Sequence, residues 1–381
     1  MSAHSDLNPC PTCGSSATRR MTRVDYRAGS HLPDSIELYG CAQCDSGFTM
    51  PRDAQRYDAY YRELQNDVLG DFVQTPDSLI RYQQQADALK SILDTDTPLR
   101  VVDFGCGQGG LLRHLCERFP QHTYFGLDTC ATITKIGDIT LVDEVSKLEG
   151  TFDVAISSHV FEHLIDFSSV DALVERIAPN GSFYIEVPNT GAYGEHLQRE
   201  YLFYVDRTHV THFSPTSLAR LAQRWQMGIA SRGEFAFPYK GGTCFPAQYV
   251  IASRTVEPTT SVDNAHTLER FDAYLQSENE RFADLAKTIG SAGHLVIYGF
   301  GDNFQRARSA QGPLAGANIK AIVDRRWQEL NRDFGDKYTF MSLEDAVGAH
   351  ADLPFVVTVS WGGEEIAAGI RSQTRSNVFV L

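Results

Sequence analysis

The run VVDFGCGQGG at residues 101–110 does most to limit what this chain can fold into. An apolar stretch feeds straight into a glycine turn, and Leu111, Leu112 and Leu115 then recur at helical spacing. That order predicts strand, glycine loop, helix. The glycines let the backbone approach a ligand where a Cβ would clash. The start of the helix adds N–H groups that have no partner within it. The next apolar run, TYFGLD, ends in Asp128. A carboxylate there can accept hydrogen bonds from two ribose hydroxyls. A glycine turn at one strand end and an acid at the end of the next together predict a nucleotide-binding α/β sheet.

Length and charge bound the rest. With 381 residues the chain has room for two or three domains, each with its own core. Hydrophobic residues make up 42% and charged residues 22%, as in ordinary globular proteins. The net charge of −14 argues against a nucleic-acid partner, which needs a basic footprint. No apolar run approaches the roughly 20 residues of a spanning helix, so no membrane partner is expected. The start, MSAHSDLNPC, has no apolar signal core, and the expected location is the cytoplasm.

In a reducing compartment paired cysteines read as metal ligands. Cys10 and Cys13 form one C-x-x-C turn, and Cys41 and Cys44 form another. Two such turns complete a tetrahedron of thiolates, so residues 1–50 predict a zinc ribbon with a structural Zn2+. Four thiolates leave no open position for chemistry. The other four of the eight cysteines, Cys106, Cys116, Cys130 and Cys244, are scattered. Residues 51–68 predict a helix carrying Tyr57, Tyr60 and Tyr61. A second helix is expected over residues 76–93, with Leu79, Ile80, Tyr82, Leu89 and Ile92 as its apolar face.

From residue 98 to about 235 strands and helices alternate, which predicts a parallel sheet with its ligand at the carboxyl ends of the strands. That places Gly105, Gly107, Gly109, Asp128 and the loop from Ser157 to His163 around one crevice. The stretch EYLFYVDRTHVTHFSPTSLARL, residues 200–221, gathers Tyr201, Tyr204, Asp206, Arg207, His209 and His212. A histidine titrates near neutrality and suits proton abstraction. Ser214-Pro215 predicts a capped helix start. Residues 265–289 predict one amphipathic helix ended by Gly290. HLVIYGFGDN and IKAIVD then repeat the strand–glycine and strand–acid designs, so a second Rossmann-like sheet is expected at the C-terminus.

The acid two residues before the first glycine, Asp103, resembles motif I of class I S-adenosylmethionine-dependent methyltransferases. FDVAISSHVFEHL (152–164) resembles that family's fourth strand and loop, and GSFYIEVPN (181–189) its fifth strand. The resemblance implies that S-adenosylmethionine sits on Asp103, Gly105, Gly107, Gly109, Asp128 and Ser157, and that Tyr60 or Tyr61 reaches its carboxylate. The competing readings are a nicotinamide-binding Rossmann domain and a non-binding relic. Over nearly its full length the chain resembles the zinc-containing deoxysugar C-methyltransferase family. This implies a zinc ribbon at 1–50, a helical lid or linker at 51–97, a methyltransferase core at 98–255 and a Rossmann-like domain at 256–381. The acceptor implied is a small molecule, a nucleotide-linked sugar or related glycosyl metabolite, methylated on carbon or oxygen. That family has a His-Glu-His cluster, of which only the second histidine carries over, onto His209. His209 is then the implied general base, with His163, Tyr204 and His212 as further catalytic candidates. Another natural-product acceptor, or a non-catalytic cofactor-binding scaffold, stays open.

Overall fold

The computed structural model of the protein describes residues 8–28, 30–64, 75–129, 134–239, 243–259, 266–359 and 362–381. Parts of the helix expected over 51–68, together with Cys130, lie outside them. The chain divides into two compact units. One comprises residues up to Met21, Leu38–His196 and Thr208–Phe271. The other comprises Thr22–Glu37, Leu197–Arg207 and Asp272–Leu381.

The chain opens with β1 (Thr18–Asp25), β2 (Ser35–Cys41), β3 (Ser46–Met50), α1 (Ala54–Leu64) and α2 (Pro76–Leu93). The core follows as β4 (Arg100–Phe104), α3 (Gly110–Arg118), β5 (Thr123–Leu127), β6 (Lys135–Ile136), β7 (Ile139–Val142), β8 (Phe152–Ser158), α4 (Ser168–Val174) and β9 (Ile177–Pro188). Next come β10 (Thr211–His212), α5 (Pro215–Arg224), β11 (Gly228–Tyr239) and β12 (Thr243–Ser253). Eight strands form one sheet in the order β11-β12-β9-β8-β4-β5-β7-β6. Side chains alternate between its faces. Val102, Ala155 and Phe183 pack with Leu218, Leu221 and Trp225 on one side. Val101, Val154, Ile156 and Tyr184 pack with Ala86, Leu89, Leu112 and Leu115 on the other.

Strands β9, β8, β4, β5 and β7 are parallel, as the alternation predicts. The expectation of a parallel sheet fails at β6, which runs antiparallel to β7, and at β12 and β11, which run antiparallel beside β9. They form a long hairpin, and a hairpin reverses direction without a crossover helix. A second correction concerns α2. Its buried residues are Gln85, Ala86, Leu89 and Leu93, while Leu79 and Ile80 are exposed. Of the expected face, Leu89 is buried and Tyr82 and Ile92 pack against the core, while the helix turns polar Gln85 inward to a buried carboxylate and leaves its first-turn Leu79 and Ile80 outside.

In the second unit α6 (Thr267–Arg281, its first residues belonging to the first unit) and α7 (Ala283–Ala292) replace the single helix expected over 265–289. They break at Phe282, at φ −101 and ψ 6. Its ring lies edge-on to Tyr201, at 5.7 Å, and beneath the Arg281 guanidinium. Strands β13 (Leu295–Tyr298), β14 (Ile319–Val323), β15 (Phe340–Met341), β16 (Phe355–Val357) and β17 (Val378–Val380) then form a wholly parallel sheet. Its order is β15-β14-β13-β16-β17. No helix among the described residues is long and apolar enough to cross a membrane.

Candidate active site

The glycine loop joins β4 to α3. Gly105, Gly107 and Gly109 all have positive φ, at 78°, 51° and 71°. At Gly105 a Cβ would lie 2.2 Å from the Val160 side chain, so no larger residue fits. At Gly107 nothing lies within 4 Å of the Cβ position, so the backbone there faces open space. The Gly107 N–H donates to Asp128 Oδ2 at 2.6 Å, so the acid after β5 braces the loop. Helix α3 starts at Gly109 with no side-chain cap on its first N–H groups.

Asp103 lies under this loop, 2% exposed, and its Oδ1 has no hydrogen-bond partner. Burial, then the charges of Asp128 and Glu186, push its pKa up to about 8. A buried acid held this way suits a cationic ligand group, which would both pair with it and ionise it. Ser157 Oγ, at the end of β8, is likewise buried and unpartnered. The residues therefore fit a ligand with a positive charge near Asp103 and hydroxyls near Asp128.

Beyond the ends of β8 and β9 lies a buried charge network that the sequence pattern did not reveal. Glu186 is fully buried on β9. It accepts from Gln85 Nε2 at 2.9 Å and from the Tyr184 hydroxyl at 2.7 Å, and Arg81 lies 3.4 Å away. The His159 ring stands between the two glutamates, Nε2 3.1 Å from Glu186 and Nδ1 3.2 Å from Glu162. Burial and Arg81 push the His159 pKa down, but the two carboxylates more than reverse this and the net shift is upward. Burial raises the pKa of Glu186, yet His159 and Arg81 bring it down to about 2. A charged residue inside the apolar run SFYIEVP was the one sequence sign of this network.

Glu162 and His163 sit on a short helical turn, Phe161–His163, after β8. His209 precedes β10, and its ring centroid is 4.9 Å from that of His163. Glu162 Oε1 lies 3.9 Å from His163 Nε2. Two candidates far apart in sequence, His163 and His209, thus meet beside Glu162. Arg52 ties their two segments together by donating to the carbonyls of Leu164 (2.6 Å), Ile165 (2.9 Å) and Val210 (2.8 Å). Burial lowers its pKa to about 10, which leaves it charged. Tyr61 on α1 places its ring edge against His163, at 5.9 Å, and Tyr60 packs on Tyr61. Tyr61 is therefore beside His163.

His212 is buried on β10, paired with Gly47 of β3. Its ring packs against Phe271 and Tyr193, at 4.8 and 6.1 Å. Tyr204 belongs to the second unit. It is buried there against Tyr274 and accepts from Gln198 at 2.9 Å. Arg207, in the same unit, is buried too, donating to Asp302 and to the carbonyls of Arg27 and Pro33. Asp143 is exposed and paired with Lys147. The four paired cysteines converge in the first unit, with Cys10 Sγ 3.6 Å from Cys44 and Cys13 Sγ 3.7 Å from Cys41.

Residues 79–227 match a family described as a methyltransferase domain. A trans-aconitate 2-methyltransferase of Deinococcus radiodurans is 31% identical over 116 residues, 28% of this chain and 45% of that protein. The chain thus spans about half the length of that curated relative. Among solved structures, the 1,6-didemethyltoxoflavin-N1-methyltransferase of Burkholderia thailandensis is 18% identical, with a TM-score of 0.39. The match covers 57% of this chain and 95% of that one. Magnesium protoporphyrin IX methyltransferase of Synechocystis is 16% identical, with a TM-score of 0.36, covering 53% of this chain and all of that one (100%). The matched stretch runs from within α2 through α5 and carries the parallel strands of the eight-stranded sheet.

Proposed function

We propose that the protein is an S-adenosylmethionine-dependent methyltransferase acting on a small molecule. The observation that carries this reading is the pairing of the unpartnered, buried Asp103 with the open backbone at Gly107 and the acid at Asp128. When bound, S-adenosylmethionine supplies a methyl group activated on a sulfonium. Asp103 would face the ammonium group of its amino-acid end, Asp128 its ribose, and Gly107 would let the backbone pass close beneath. The chain's own contribution is alignment of the acceptor and removal of its proton. His209, beside His163 and Glu162, is the proposed base. Tyr61 adds an aromatic wall to that site.

The four cysteines are proposed to hold a structural zinc, since four thiolates at this spacing complete its shell. The acceptor proposed from the resemblance is a nucleotide-linked sugar. Arg207 is committed to Asp302 within the second unit, which supports a structural role for it.

Calorimetric binding of S-adenosylhomocysteine tests the core of this reading. The wild type should bind, and Asp128→Ala should bind roughly tenfold or more weakly, as expected for lost charged hydrogen bonds. Absence of binding by folded wild-type protein refutes the reading. Incubation with methyl-labelled S-adenosylmethionine and a panel including a nucleotide-linked keto sugar and trans-aconitate then identifies the acceptor class. Unchanged turnover in His209→Ala excludes His209 as the base.

A further inference from the structure

We infer that Glu162, His163 and His209 bind one divalent first-row transition-metal ion. Their donor atoms all lie within 4.8 Å of one another. His163 Nδ1 is 2.9 Å from the Thr208 carbonyl oxygen. A carbonyl only accepts, so Nδ1 carries the hydrogen, and in the neutral ring Nε2 presents a lone pair. That lone pair faces Glu162 Oε1 at 3.9 Å. A proton on Nε2 or a metal cation can bridge that gap, and the second ring beside it, that of His209, supplies a further donor that only a metal ion would use.

Glu162 supports this independently. It is 1% exposed; its Oε1 pairs with His159 Nδ1 at 3.2 Å, and its Oε2 has no hydrogen-bond partner. Its neighbour His159 lies at ion-pair distance but shares its charge with Glu186. A buried carboxylate oxygen left without a donor is costly unless a further charge reaches it. Two imidazoles and one carboxylate form a donor set that suits zinc, manganese or iron, with open positions left for a ligand. Donors around a tetrahedral zinc stand about 3.3 Å apart, given bonds of ~2.0–2.1 Å. Only a small closure of the cluster is needed. The hydrogen bond from His163 to the Thr208 carbonyl is the outer-shell support that orients metal-bound histidines. Arg52 fixes both segments before any ion arrives.

The inference rests on the acceptor site proposed above and refines it. A cation at this point lowers the pKa of a coordinated acceptor hydroxyl or enol. His209 then serves as a ligand to the cation, and proton loss becomes easier without a strong protein base.

Manganese(II) is the probe, because thiolates select softer metals and the cysteine cluster competes little for it. Full-length protein is titrated with manganese(II) chloride, and free ion is followed by electron paramagnetic resonance. Zinc and iron content is read by elemental analysis of the protein as purified. The expected result is about one bound ion per chain beyond the cysteine cluster. Glu162→Gln and His209→Ala should each weaken it about tenfold or more. S-adenosylhomocysteine binding, measured on the same samples, reports that each variant is folded. If the wild type binds no manganese and carries no metal beyond the cysteine cluster, the inference is overturned and His209 stands as the base. Metal binding that is indifferent to both substitutions overturns it as well. Metal uptake without S-adenosylhomocysteine binding supports the metal site and refutes the methyltransferase reading instead.

Discussion

Asp103 concentrates the residue-scale chemistry of the cofactor site. Burial, Asp128 and Glu186 hold its pKa at about 8, far above the ordinary 3.8. An acid raised in the folded state is protonated near neutrality, and the protein loses stability as pH climbs from about 4 through about 8. A cationic ligand beside it reverses the preference. Binding of S-adenosylhomocysteine near pH 7 should therefore release up to about one proton to the buffer. Calorimetry in buffers of different ionisation enthalpy measures this. The release should fade above pH 9 and vanish in Asp103→Asn. Gly105→Ala tests the loop itself. The positive φ and the Val160 clash should together cost roughly 1–3 kcal/mol in chemical denaturation, and cofactor affinity should fall with it.

At the scale of elements, what was legible in the sequence was local. The glycine loop, the cysteine turns and the capped start of α5 are written in consecutive residues. Ser214 Oγ accepts from the Ser217 N–H at 2.9 Å, and Pro215 opens the helix. The Arg81–Glu186–His159 network and the Arg52 brace were not legible. Each joins segments far apart in sequence, and no period records such a meeting. The inward turn of Gln85 on α2 to reach Glu186 was not legible for the same reason, nor was the exposure of Leu79 and Ile80, whereas Leu89, Tyr82 and Ile92 pack on the core as expected. Arg52 gives the element-scale prediction. Arg52→Met leaves three carbonyls of the His163 and His209 segments without their donor. It should lower stability by roughly 2–3 kcal/mol. Turnover should fall more than S-adenosylhomocysteine affinity does, because the brace lies at the histidine pair. Urea denaturation and calorimetry on one preparation separate the two effects.

For the molecule as a whole, the question is why a four-cysteine cluster accompanies a methyltransferase sheet. Within the first unit the two are linked by short, specific steps. Strand β3 follows Cys44 directly and pairs antiparallel with β10, Thr211 against Phe48 and His212 against Gly47. The Thr49 N–H donates to the Val210 carbonyl at 3.0 Å. The Ser214 hydroxyl donates to the Cys44 carbonyl at 2.7 Å. His209 thus lies immediately before a strand whose position depends on the cysteine turns. The ribbon's apolar centre is small, with Phe48 among the cysteines and Tyr39 and Met50 packed against it, so a metal would add to what pairing with β2 gives β3. Cys41→Ser should therefore act at a distance. Bound zinc should drop by about one ion per chain, and methyl transfer should fall at least about tenfold. S-adenosylhomocysteine affinity should stay within about threefold, because Asp103, Gly107 and Asp128 are built on β4 and β5. Elemental analysis, turnover and calorimetry on the same variant read the three quantities. Full turnover after loss of the zinc would mean that β10 holds its place without the ribbon.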